Sequence, residues 1–178
     1  MENIIIDNDL IDNDLNNYDK IEVPLITVEK FIFLTFITFG LYQIWWTYKA
    51  WKFVKETDRY DVYPVLRTLF GVIFLFDLFK WINFKANFEM NYGKSFNILV
   101  MYLIVILLNL ASRIDSISFI SLFSVFGYIM PFQSMNYIKE NTPVYYTYYI
   151  NGFNTRQIVL IVLGLILWSL IFINFLSI

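Results

Sequence analysis

Four long stretches of this chain carry no charged side chain. Phe31–Tyr48 runs for 18 residues, Phe96–Ser112 for 17, Ser116–Ile138 for 23 and Gln157–Ile178 for 22. A helix needs about 20 mainly apolar residues to cross a bilayer, with roughly 17 as a floor, so each run is long enough. The chain is 58% hydrophobic and only 16% charged, which is more apolar surface than one small core can bury. The expected fold class is an all-α integral membrane protein, a helical bundle with four transmembrane helices. These helices are expected over about 30–48, 96–112, 116–138 and 157–177. Gly40 interrupts the first run, and Pro131 with Gln133 the third, so a bend is expected at each.

A fifth region, 65–84, reads as a re-entrant or interfacial helical element. Its eleven large apolar residues from Leu69 to Phe84 favour insertion by about 5 kcal/mol, and Asp77 and Lys80 oppose it by a similar amount. The positive-inside rule breaks the tie. If this element dips and returns, every basic loop except the one with Arg113 faces the cytoplasm, and the acidic N-terminus lies outside. The alternative is that the chain enters, breaks at Gly40 and returns, which keeps the N-terminus inside.

Charge divides the chain in two. Residues 1–29 hold eight acids against Lys20, and residues 30–178 hold twelve Lys and Arg against seven acids. Residues 1–28 therefore read as an acidic, disordered tail, and residues 29–178 as the transmembrane domain. The tail repeats Ile-Asp-Asn-Asp-Leu at Ile6–Leu10 and Ile11–Leu15, without the glycine and closing glutamate of a calcium loop. Nor does it carry the basic start and apolar run of a signal peptide. Cys and His are absent, which excludes thiol nucleophiles, Cys/His zinc sites, imidazole bases and haem ligation by either residue. No catalytic residues, metal or cofactor are expected, and the basic residues lack the density of a nucleic-acid surface.

Two groups of residues are candidates for function. The first is an interfacial, lipid-headgroup stripe of Trp45, Trp46, Tyr48, Lys49, Trp51, Lys52, Lys55 and Arg59. Trp and Tyr favour the headgroup level, and lysines there reach toward phosphates. The second is an intramembrane polar site of Arg67, Asp77 and Lys80, where the spacing lets Asp77 and Lys80 pair on one helical face. Ser118, Ser121, Ser124 and Gly127 recur every third residue, a pattern suited to close helix packing. Tyr145, Tyr146, Tyr148 and Tyr149 follow Pro143 and read as an interfacial hairpin or loop.

The first stripe also carries a resemblance. Thr38-Phe39-Gly40-Leu41-Tyr42, then Trp45-Trp46 and Tyr48-Lys49-Ala50-Trp51-Lys52, resemble a family of small uncharacterised bacterial inner-membrane proteins, a domain-of-unknown-function family. Pro64, Arg67 to Phe70, Met130 to Gln133, Asn136 to Ile138, Asn154, Gly164 and Trp168 extend the likeness over most of residues 30–175. The chain departs from the pattern at Ala50, where Asn is frequent. The resemblance implies a polytopic membrane fold in a bacterial inner membrane, with no assigned activity. Two functions are weighed, the first as the expected one and the second as its alternative. One is a non-enzymatic scaffold, lipid-contacting module or membrane-complex subunit with lipids, proteins or its own copies as partners. The other is a small oligomeric transporter or channel with a polar path through Arg67, Asp77 and Lys80.

Overall fold

A computed structural model of the chain describes residues 20–58 and 61–176. The acidic repeats and Arg59 fall outside this set. Strand β1 (Ile21–Leu25) leads into helix α1 (Val28–Ile37), and helix α2 (Leu41–Asp58) follows after a tight turn. Two helices come next, α3 (Pro64–Leu69) and α4 (Gly71–Phe84), the latter running into a π-helical turn at Lys85–Glu89. Helix α5 (Ile98–Ala111), a 3-10 segment at Asp115–Val125 and helix α6 (Phe126–Glu140) form the next layer. Strand β2 (Tyr145–Tyr149) and helix α7 (Thr155–Leu176) close the described chain.

Local chemistry sets these boundaries. Thr27 caps α1, its hydroxyl accepting from Lys30 N–H at 3.5 Å, and the Asn97 amide oxygen caps α5 by accepting from Val100 N–H at 3.1 Å. Pro64 occupies the first turn of α3, where its missing N–H costs nothing. Asn154 and Gln157 cap α7 reciprocally. Gln157 N–H donates to Asn154 Oδ1 at 2.9 Å, and Asn154 N–H donates to Gln157 Oε1 at 3.0 Å.

The expected four-span bundle is overturned. Among the described residues only one helical stretch, Thr155–Ile173 in α7, is long and apolar enough to cross a membrane. The other runs divide. Phe31–Tyr48 breaks at Phe39 and Gly40, both with positive φ (52° and 85°), so it yields the end of α1 and the start of α2. Ser116–Ile138 is split between the 3-10 segment and α6. Helix α5 keeps 14 residues, a rise of about 21 Å against a hydrocarbon thickness of about 30 Å. The element expected over 65–84 is also two helices, joined at Phe70. A long apolar run is not enough for a span, because an unbroken helix is needed as well.

The Tyr-rich segment is not a hairpin. Residues Tyr145–Tyr149 pair in parallel with Ile21–Leu25, in the register Ile21 to Tyr145 through Leu25 to Tyr149. Parallel strands need a long crossover, and here it comprises everything from α1 to α6. The pairing sets the starts of α1 and α7 side by side, and Lys30 reinforces it by donating to the carbonyls of Ile150 and Gly152.

An aromatic core joins α1, α2, α4 and α6. Phe31 is fully buried and meets Tyr42, Trp46 and Tyr128 at 6.0, 5.9 and 6.5 Å, and it stacks on Phe132 at 4.4 Å. Such pairs add about 0.5–1.5 kcal/mol each beyond area burial. Helix α7 docks outside this core through Gly164, where a Cβ atom would lie 2.1 Å from the Ile37 carbonyl oxygen, and through Trp168 stacked on Phe39 at 4.6 Å. Gln157, Leu160 and Ile161 also face the rest of the protein, but the outer side of α7 is bare: Ile158, Val162, Leu163, Ile166, Leu170 and Ile173 are exposed. Only 11% of its most apolar window is buried, whereas the central helix of a water-soluble core would be largely covered.

Candidate functional site: a cationic cleft between α2, α6 and α7

Helix α2 presents two unlike faces. Tyr42, Gln43, Trp46, Thr47, Ala50, Trp51 and Val54 point into the core. The opposite face changes character along its length. Leu41 and Ile44 are exposed, then come Trp45 and Tyr48 with rings 5.6 Å apart, then Lys49, Lys52 and Lys55. The order is apolar, aromatic, cationic over 18 residues, or about 27 Å of helix. Lys49 lies 5.3 Å from the Trp45 ring, Lys55 lies 5.9 Å from the Tyr63 ring, and Lys52 pairs with Glu56 at 3.5 Å.

The turn before α2 positions this face. Thr38 serves both helices: its hydroxyl donates to the Leu34 carbonyl at 2.6 Å and accepts from Tyr42 N–H at 3.1 Å. The Gly40 N–H closes the end of α1 onto the Thr35 carbonyl at 2.9 Å. Tyr42 then accepts from Gln157 Nε2 at 3.2 Å, which ties α2 to the start of α7. The Thr-Phe-Gly-x-Tyr sequence is thus a structural joint among three helices.

Beside this joint lies a cleft of about 690 Å³ whose lining includes Trp45, Lys49, Lys139, Arg156, Val159 and Leu160. Its cationic groups come from three helices. Lys139, near the end of α6, is partly buried with its ammonium 5.6 Å from the Phe53 ring. Burial, together with the charge of Lys49, pulls its pKa down to about 8. None of Lys49, Lys139 and Arg156 meets a carboxylate within 4 Å among the described residues. The arrangement suits a bound anion with an apolar portion. No His, Cys or carboxylate cluster able to hold a metal occurs among the described residues.

The expected stripe is divided by this geometry. Trp45 is 41% exposed and shares the outer face with Tyr48, Lys49, Lys52 and Lys55, whereas Trp46 and Trp51 are core residues at 7% and 2%. Trp51 carries the Arg67 guanidinium 4.4 Å above its ring, with Phe74 5.2 Å away. The expected polar trio is not assembled. Arg67 is held in that aromatic stack, while Asp77 and Lys80 are exposed, form no ion pair with each other, and line a separate hollow with Trp81 and Phe84. Asp58 and Lys85 make a partly buried lock instead. Lys85 bridges Asp58 at 2.9 Å and Glu89 at 2.6 Å, and Trp81 Nε1 donates to Asp58 at 2.6 Å. Burial alone lowers the Lys85 pKa, but the two carboxylates outweigh it and leave the pKa raised.

Sequence reasoning missed Lys139 and Arg156 as site residues and used them only as loop charges. Their positions at the end of one helix and the start of another, on opposite sides of the Tyr-rich segment, gave no sign that they line one cleft.

Residues 27–116, half of the 178-residue chain, match the family described as Domain of unknown function (DUF4234). The chain belongs to the DUF4234 family. The match spans α1 to α5 and reaches the start of the 3-10 segment. It therefore includes the joint, the α2 stripe and Lys49, whereas Lys139 and Arg156 lie beyond it. The cleft combines a wall of the DUF4234 domain with a wall from the rest of the chain. No curated protein and no solved structure gives a significant match.

Proposed function

We propose that this DUF4234 protein is a non-enzymatic module anchored by α7 in a bacterial inner membrane, where it contacts anionic lipid headgroups through α2. Protein partners or further copies of the chain assemble on the same membrane-bound scaffold. The graded outer face of α2 supports this reading most strongly. Leu41 and Ile44 suit hydrocarbon, Trp45 and Tyr48 suit the headgroup boundary, and Lys49, Lys52 and Lys55 suit the phosphate layer and the water beyond. The link from Tyr42 to Gln157 sets the start of α7 at the same level. The apolar side chains exposed on α7 and α5 form a surface too large to leave in water. A polar path through Arg67, Asp77 and Lys80 gains no support from this geometry.

The test is lipid selectivity. The full chain is reconstituted into vesicles of mixed phosphatidylcholine and phosphatidylglycerol and extracted in polymer-bounded discs, and the lipids around it are quantified. Enrichment of phosphatidylglycerol is expected, falling about fivefold for each lysine neutralised in Lys49→Gln, Lys52→Gln and Lys55→Gln, since each contributes about 1 kcal/mol at an anionic surface. Discs matching the bulk lipid, unchanged in the triple variant, would contradict the proposal.

A further inference from the structure

General attraction along α2 does not require a cavity, yet one is present beside it. We infer that the cleft between α2, α6 and α7 is a stoichiometric site for one anionic glycerophospholipid, with its phosphate among Lys49, Lys139 and Arg156. This rests on the membrane reading above and goes beyond it, because a headgroup-facing stripe binds many lipids in passing, whereas a cleft retains one.

Three features select the ligand. Charge is the first: three cations line one cleft and have no carboxylate partner among the described residues. Lys139 is desolvated and repelled by Lys49, a cost that a bound anion removes. The start of α7 adds the positive end of a 22-residue helix. Shape is the second feature. A volume of about 690 Å³ lies within the range of pockets that enclose small ligands, so it takes a phosphoglycerol head and the upper part of one chain. The third is the apolar wall. Leu160 is half-covered and Val159 exposed, so the wall runs out of the cleft onto the bare surface of α7. A free phosphate has nothing to place on that wall, and a lipid does. Two of the polar groups nearby are already committed, with Asn136 Nδ2 donating to the Ile26 carbonyl at 3.0 Å and Gln157 bound to Tyr42. The lining holds three cations and, among the described residues, no acid, so charge recognition falls to the cations.

Native mass spectrometry of the purified full chain in mild detergent tests this. Phosphatidylglycerol, phosphatidylcholine with the same acyl chains, and inorganic phosphate are titrated separately. One phosphatidylglycerol per chain is expected, bound at least tenfold more tightly than phosphatidylcholine and undisturbed by millimolar phosphate. Lys139→Met should reduce retention to the phosphatidylcholine level, and Lys139→Arg should restore it. Arg156→Gln, at an exposed position, carries the same expectation if Lys139→Met fails to fold. Equal retention of the two lipids, displacement by free phosphate, or unaltered binding in the neutralised variant that folds would overturn the site. Loss of one-to-one retention with bulk anionic enrichment intact defeats the cleft alone. Loss of the enrichment defeats the general reading.

Discussion

At the scale of single residues, Gly40 and Lys139 carry unlike burdens. Gly40 sits at φ 85° in the joint between α1 and α2. A side chain there meets only Gln43 Oε1 at 3.7 Å, so the cost of Gly40→Ala is backbone strain of about 1–2 kcal/mol. The apparent melting midpoint in mild detergent should fall accordingly, and an unchanged midpoint would show that the turn is not formed. Lys139 is costly to the fold for a different reason. It faces Lys49 and the Phe53 ring from α2 and shares the cleft with Arg156 from α7, while its neighbour Glu140 is engaged by the Tyr149 hydroxyl at 2.8 Å. Its folded pKa of about 8 lies below its ordinary 10.5. Between those values the unfolded chain holds a proton that the folded chain has released, so stability rises with pH across that window. Lys139→Met should therefore remove that rise and raise the neutral-pH midpoint, through a stability gain of roughly 1–3 kcal/mol, while weakening anion binding. Melting curves from pH 7 to pH 11 check both signs.

At the scale of elements, one contact docks α7 and another holds the end of α2. Helices α1 and α7 touch backbone to backbone at Ile37 and Gly164, an approach that only glycine permits. Gly164→Leu should separate the pair, unstack Phe39 from Trp168 and expose the joint to limited proteolysis, while α7 itself stays apolar enough for membrane insertion. Proteolysis at the wild-type rate would contradict this docking. The end of α2 is held by Lys85 between Asp58 and Glu89. Asp58→Asn should cost about 1 kcal/mol, as partly exposed ion pairs do, with the loss visible as a lower denaturation midpoint.

The sequence legibly carried some of these elements. The helical character of most of the chain followed from long apolar runs, and the break at Gly40 from a glycine amid bulky residues. What it concealed was the division of those runs. Phe39 at φ 52° is a conformation few residues adopt, so nothing before Gly40 announced it. The 3-10 segment at Asp115–Val125 shares its composition with an α-helix and differs only in winding. In α2, the aromatic residues Trp45, Trp46 and Trp51 looked alike, and only packing separated Trp45 at the surface from two core residues. The parallel pairing of β1 with β2 joins segments more than a hundred residues apart, beyond the reach of local pattern. Lys139 and Arg156 became visible as a site only in the cleft that they line with Lys49.

At the scale of the whole molecule, one apolar helix, one graded helix and one cleft share a common level. That level is fixed by the α7 cap, by Tyr42 on Gln157, and by the small sheet that sets α1 beside α7. If α7 is the anchor, depth in the bilayer follows from position along these elements. The chain has no cysteine, so a single spin label reports one place only. Labels at Ile44, Lys52 and Leu163, in the full chain reconstituted into vesicles, would be compared for oxygen and water-soluble nickel accessibility. Leu163 is expected deepest, Ile44 shallow within the hydrocarbon, and Lys52 in water. A Leu163 label freely reached by nickel, or Lys52 deeper than Ile44, would contradict both the anchor and the orientation of α2.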